Sequence, residues 1–172
     1  MVAGAATSNS KLSLTLPSDR EIVLARDFNA PRRLVFEAWT KREHVMQWWA
    51  GCDDNALTVC EIDLQVGGAW HFVVRGPDGQ EYPFKGVYRE ILAPERLVHT
   101  QIFDVEPYAR SEALVSVIFE DVGGRTRLTQ TILHPAKEAR DEHLRSGMQT
   151  GASASLDRLD AIVQRLSPVT QL

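Results

Sequence analysis

Apolar and polar residues alternate along the middle of this chain, and apolar residues recur every third or fourth position near its start and at its close. Alternation is the period of a half-buried strand, and the longer spacing is that of a helix face. Arg20 to Phe28 reads as a first strand, with Ile22, Leu24 and Phe28 among its apolar positions. Asn29-Ala30-Pro31 then opens a helix, because proline is tolerated in a first turn. Val35, Phe36 and Trp39 give that helix an apolar side, and Thr40-Lys41-Arg42-Glu43 fits a capping box that would open a second short helix through Trp48. Gly51 to Asn55 reads as a loop.

Five strand segments follow, and a sixth after one more turn. Thr58 to Val66 sets Cys60, Ile62 and Leu64 opposite Glu61 and Asp63. After Gly67-Gly68, Ala69 to Arg75 sets Trp70, Phe72 and Val74 opposite His71 and Arg75. Pro77-Asp78-Gly79 is a turn, with proline presetting one dihedral and glycine accepting positive φ. Tyr82 to Leu92, Arg96 to Asp104 and Glu112 to Glu120 are next, and Asp121-Val122-Gly123-Gly124 turns the chain into Thr126 to Leu133. His134-Pro135 ends the run.

Arg140 to Leu166 closes the chain as one long amphipathic helix. Leu144, Met148, Ala152, Ser155, Leu156, Leu159, Ile162, Val163 and Leu166 share a face. The N-terminal half of that face is thin: Gly147, Gly151, Ala152, Ser153 and Ala154 stand where a core helix carries bulk. Each glycine costs such a helix about 1 kcal/mol against alanine. Either another backbone packs close to it, or the helix is the lid of a cavity.

Consecutive strands joined by short turns are antiparallel neighbours. The closing helix is the one large apolar cover for their buried face. The expected fold is α+β: a curved antiparallel sheet wrapped around a long C-terminal helix, with two short helices after the first strand plugging one end. A cavity between the thin half of the helix and the sheet would be lined by Phe72, Val74, Phe84, Tyr88, Phe103, Val117, Phe119 and Met148, with Trp48, Trp49, Trp70 and Ala152 also within reach of a ligand.

Composition narrows the function classes. The 172 residues suffice for one domain with a real core, expected over 16–168 behind a mobile tail over 1–15. A formal charge of −4 with no basic run argues against a nucleic-acid partner. No apolar stretch reaches the length of a membrane span, and the N-terminus lacks the pattern of a signal peptide. Cys52 and Cys60 are expected reduced, in the cytoplasm. The five histidines, His44, His71, His99, His134 and His143, lack ligand spacing, so neither a metal nor a cofactor is expected.

The order and spacing of several motifs resemble a known group. They are Ala30-Pro31 with Val35-Phe36 and Trp39, Gln47-Trp48-Trp49, Glu61-Ile62-Asp63 before Gly67-Gly68, Trp70 with Phe72, and Arg75-Gly76-Pro77-Asp78-Gly79. Gly86-Val87-Tyr88, Pro94-Glu95-Arg96-Leu97, Ser146-Gly147-Met148 and Leu156-Asp157-Arg158-Leu159 complete the set, over about residues 20 to 166. The chain resembles the helix-grip proteins of the START-like (SRPBCC) superfamily. Within them it is similar to the branch named after the C-terminal domain of the activator of the heat-shock-protein-90 ATPase. The resemblance implies the same fold with a cavity for lipids, polyketides or other apolar molecules. It does not imply one activity, and the chaperone role belongs to a eukaryotic protein with a further N-terminal domain. Many relatives carry tryptophan where this chain has Ala152, which leaves room in the helix face.

Strand parity turns a few polar residues inward. Gln130 would share a face with Leu128 and Ile132, Glu90 with Phe84 and Tyr88, and His99 and Gln101 with Leu97 and Phe103. Two function classes stay open. One is a binder of a small apolar or amphipathic ligand, for which a homodimer is also compatible. The other is a cyclase- or hydrolase-like enzyme working through Glu90, His99 or Gln130. A chaperone-associated interaction protein is a third. Two titratable groups within hydrogen-bond reach would favour the enzyme, and a pocket with one or two polar groups the binder.

Overall fold

The computed structural model describes residues 11–167, and its backbone is organised by one antiparallel sheet of eight strands. In chain order the elements are β1 (Ser13–Thr15), β2 (Glu21–Phe28), α1 (Arg32–Thr40), α2 (Arg42–Trp48), β3 (Ala56–Ile62), β4 (Ala69–Arg75), β5 (Glu81–Leu92), β6 (Arg96–Phe103), β7 (Ala113–Val122), β8 (Arg125–Leu133), α3 (Lys137–Arg145) and α4 (Met148–Leu166). A 3₁₀ turn at Tyr108–Arg110 follows β6. The sheet order is β1-β2-β8-β7-β6-β5-β4-β3, a meander from β3 to β8 closed by the return of β2 beside β8. The expected α+β helix-grip architecture is the one observed: the sheet curves around α4, and α1 and α2 lie between β2 and the meander in sequence.

Local chemistry explains most of the boundaries. Gly123 and Gly124 both have positive φ, as a two-residue hairpin turn needs, and Asp121 Oδ1 accepts the Gly124 amide at 2.9 Å. Along β2, Ile22, Leu24, Arg26 and Phe28 alternate inward, and the strand pairs in full register from Glu21↔Leu133 to Phe28↔Thr126. The solid core forms where α1, α4, β7 and β8 meet. Phe28, Val35, Val117, Phe119, Leu128, Leu159 and Val163 are fully buried there, and Phe36 meets Phe119 edge-on at 5.2 Å.

Four expectations need correction. Of the segment expected as a tail over 1–15, Ser13–Thr15 pairs with Val23 to Ala25 as an edge strand, and residues 1–10 lie outside the described ones. The capping box at Thr40 does not form, because the Thr40 hydroxyl donates instead to the Phe36 carbonyl at 2.8 Å and Lys41 becomes the N-cap of α2 without a side-chain bond. The first strand after the helices ends at Ile62, and Leu64 is exposed. The closing helix is two helices. Gly147 takes a left-handed conformation (φ 81°) between α3 and α4, and the Ser146 amide donates back to Glu142 and His143 carbonyls. Glycine just past a helix end is the usual stop signal.

The second short helix and the loop after it are tied to α4 by polar contacts. The Gly51 amide donates to Ser155 Oγ at 2.9 Å, and Arg158 donates to the carbonyls of Gly51 and Trp48 and pairs with Asp53 at 2.7 Å. The backbone that comes close to the thin helix face is therefore the loop after α2, where the Cα of Gly51 lies against Gly151. On the opposite flank, Arg26 is 5% exposed and reaches from β2 to Asp157 at 2.6 Å and Asp160 at 3.7 Å.

Candidate functional site

A β-bulge decides which polar residues face the concave side. Along β5 and β6, Phe84↔Phe103, Lys85↔Ile102 and Tyr88↔His99 keep one register; at Arg89 an extra residue is inserted, and Glu90 pairs with Val98. The insertion reverses parity beyond that point. Tyr88 and His99 stay inside, whereas Glu90 turns out and pairs with Arg96 at 3.3 Å. Glu90 is thus removed from the inward set.

What remains inside is a small cavity of about 30 Å³, lined on one side by Trp39, Val45 and Trp49 of the helix layer and on the other by Trp70, Phe72, Tyr88, Leu97, His99, Gln101 and Gln130 of the sheet. Such a space holds about one water molecule. On its helix side Trp49 sits partly buried with ring centroids 4.9 Å from Phe72, 5.1 Å from Phe84 and 6.2 Å from Trp70. From there rings continue to the surface: Phe84 stacks on Phe103 at 5.1 Å, and Phe103 on the exposed Tyr108 at 5.7 Å.

The other expected lining residues lie elsewhere. Trp48 is buried against Trp39, with its indole N–H donated to the Ala38 carbonyl at 2.8 Å. Val117 and Phe119 belong to the solid core, and Val74 is buried one step along β4. Met148 and Ala152 are partly buried at the start of α4, packed on the core and not on the cavity wall. The cavity lies toward the α2 end of the sheet, so the expected lid, the N-terminal half of α4, does not line it. That half borders an open surface groove of about 430 Å³ with Leu12 on its far side. Trp39, Val45 and Leu97 line the cavity without having been foreseen; a lone helical tryptophan and two ordinary core residues carry no distinguishing signal.

One carbonyl organises the polar end. Thr100 O accepts the Trp70 indole N–H at 3.1 Å and lies 2.9 Å from His99 Nδ1. A carbonyl only accepts, so Nδ1 carries the proton and Nε2 keeps its lone pair. The Trp70 indole can lie there because position 86 is glycine: a Cβ at Gly86 would fall 1.9 Å from Thr100 O and 2.3 Å from Trp70 Nε1. Burial pulls the His99 pKa down to about 4, against the smaller opposing effect of the Thr100 bond, so the ring is neutral at pH 7. Burial raises Tyr88 well above the ordinary phenol value and holds the Cys60 thiol at about 11. Cys52 and Cys60 are both free cysteines. Among the described residues, the side chains of Gln101, Gln130 and Tyr88 make no hydrogen bond within the protein, and none of the cavity-lining residues carries a formal charge.

Chemically, the arrangement can shelter an apolar group and offer an acceptor, two amides and a phenol. Tyr88 and His99 are the titratable pair on its wall: their rings meet edge-on with centroids 6.2 Å apart, and among the described residues His99 bonds only to a backbone carbonyl, not to the phenol. His134 Nε2 and His143 Nδ1 lie 3.0 Å apart, but at the β8–α3 end of the fold. No group of three or more His, Cys, Asp or Glu that could hold a metal occurs among the described residues, and none of their helices is long and apolar enough to cross a membrane.

The comparisons with known proteins agree with the fold. A crystal structure of a protein from Rhodobacter sphaeroides superposes with a TM-score of 0.82 at 24% identity, covering 91% of this chain and 100% of that one. A protein from Nitrosomonas europaea gives 0.78 at 22%, covering 88% and 98%. The solution structure of an AHSA1-like protein from Aeromonas hydrophila gives 0.63 at 23%, covering 84% and 93%. These likenesses establish the fold. No curated protein matches the sequence. The family model described as Activator of Hsp90 ATPase homolog 1-like protein matches residues 29–164, from the opening of α1 into the last turn of α4, and the chain belongs to that family.

Proposed function

We propose that this protein binds a small apolar or amphipathic molecule between the sheet and the helix layer and catalyses no reaction of its own there. One observation carries the reading: aromatic walls converge on a neutral polar end in which His99 is hydrogen-bonded only to a backbone carbonyl. Ligand sites of soluble proteins are mostly apolar with a few placed polar groups. The cavity is too small for such a ligand while Trp49 fills its seat, so binding displaces that indole. Two free cysteines fit a reducing compartment, and we place the protein in the cytoplasm.

The test is a titration of the purified chain with 2-naphthol, followed by tryptophan fluorescence and by calorimetry. The expected result is saturable one-to-one binding with quenching of the tryptophan emission. Absence of saturable binding of both 2-naphthol and naphthalene, by the parent and by a Trp49→Ala variant alike, overturns the reading.

A further inference from the structure

The polar end of the cavity is more selective than its aromatic walls. Resting on the binding reading above, we infer that the site takes a neutral, flat aromatic ligand bearing a hydrogen-bond donor, of the phenol class, whose O–H is received by His99 Nε2 and whose rings take the seat now held by the Trp49 indole.

Three observations lead there. The first is the fixed tautomer. Thr100 O holds the Nδ1 proton of His99 at 2.9 Å while also accepting Trp70 Nε1 at 3.1 Å, so the ring cannot exchange its donor for its acceptor without losing a buried bond. The side chain therefore presents an acceptor to the cavity it lines, and a partner must donate. The second is charge. Among the described residues the wall carries no formally charged side chain, so a carboxylate or ammonium head would lose its hydration without an opposite charge to replace it. A phenol loses far less and gains the His99 bond. Gln101 and Gln130, whose amides lack protein partners, can donate to the phenol oxygen.

The third is shape. Trp49 meets Phe72, Phe84 and Trp70 at 4.9, 5.1 and 6.2 Å, all edge-to-face. This is the packing that flat rings prefer, and a ligand ring of similar outline would recover it. Trp49 is only partly buried, so its indole can leave the seat toward solvent without crossing the core.

The experiment compares three ligands of one outline on the full chain: 2-naphthol, naphthalene and 2-naphthoate at neutral pH. A site built to pair a hydroxyl rejects the analogue lacking it more strongly than it would one lacking a methylene. We expect 2-naphthol to bind at least about tenfold more tightly than naphthalene, and 2-naphthoate to bind more weakly than either. In the parent protein the ¹⁵N resonance of His99 Nε2 should move upfield with 2-naphthol and stay in place with naphthalene. His99→Phe should bring naphthol and naphthalene to equal affinity, and His99→Gln, which keeps an acceptor, should restore part of the difference. Equal binding of naphthol and naphthalene by the parent, a preference for naphthoate, or an unmoved Nε2 resonance overturns the phenol assignment and leaves the binding reading standing. Failure of both neutral ligands to bind either the parent or Trp49→Ala overturns both. Because the ligand comparison and the resonance are read on the parent protein, the outcome does not depend on the variants folding.

Discussion

Both ends of the sheet's concave face carry aromatic rings, and the two ends are packed to different degrees. Around Phe28, Phe119, Leu128, Leu159 and Val163 the side chains are fully buried. Around Trp49, Phe84 and Phe103 the rings are only partly buried, and a cavity and a run of rings lead outward. Helix α4 spans the contrast. From Ser155 onward its inner face is buried, while Met148 to Ala154 stay partly or fully exposed. The lesson is that aromatic content does not distinguish core from site. What differs is whether each ring's neighbours close around it.

Truncating one ring at each end is the sharpest way to break that comparison. Phe119→Ala should cost about 3–5 kcal/mol in denaturant unfolding, as for a fully enclosed aromatic. Trp49→Ala should cost roughly 1–2 kcal/mol, because only part of the ring's area is withdrawn from water, and it should increase uptake of naphthalene. Equal costs at the two sites would show that both are ordinary core.

Acid should act through buried imidazoles. Above pH 6.5 His99 is neutral both folded and unfolded, and stability is complete. As the pH falls below 6.5 the unfolded chain takes up a proton that the folded ring, held at about 4, does not. Stability should fall by roughly 3 kcal/mol between those values from His99 alone and level off below pH 4. His143, also held at about 4 by burial and then by the charge of His134, adds to the same slope from the other end of the fold. Urea midpoints at pH 7 and 4.5 give the total. Chemical shifts of the individual rings separate the two ends, and a His99 midpoint near 6.5 would contradict the enclosed polar end.

The smallest effects come from two glycines of opposite sign. At Gly147, φ of 81° strains any L residue, so Gly147→Ala should destabilise by about 1 kcal/mol. At Gly151 a Cβ would sit 3.8 Å from the Gly51 Cα, an ordinary contact, so Gly151→Ala should stabilise by about 0.5–1 kcal/mol. Thermal unfolding of the two variants checks the pair. Destabilisation by Gly151→Ala would mean that the loop after α2 is pressed against the helix.

Much of this was legible in the chain. Ala69–Arg75 was placed to the residue, and the turns at Gly67-Gly68, Pro77-Asp78-Gly79 and Gly123-Gly124 follow from backbone chemistry. The inward placement of His99 and Gln101 followed from parity on an unbroken strand. Glu90 was misplaced because one inserted residue at Arg89 reverses parity, and nothing in Tyr88-Arg89-Glu90 announces a bulge. Gly147 was read as a thin spot in one helix although glycine is equally a stop signal, and the alternatives differ only in the sign of φ. The thin face has the Gly51 backbone against it at Gly151, as close packing of small residues allows. That Trp49 packs against Phe72 and Phe84 is beyond sequence patterning, since periodicity says which face a ring is on and not which neighbours it meets.

The anchoring of Gly51 has a kinetic consequence. Trp48 is held by its indole bond to Ala38, and the carbonyls of Trp48 and Gly51 and the amide of Gly51 are held by Arg158 and Ser155. The chain is thus pinned on both sides of Trp49, leaving its two side-chain torsions as the free coordinates. On the proposed binding reading, access to the cavity is then a ring rotation and not a loop excursion. Association should stay fast and nearly insensitive to conditions that loosen the fold, and the ligand's residence time should carry the differences in affinity.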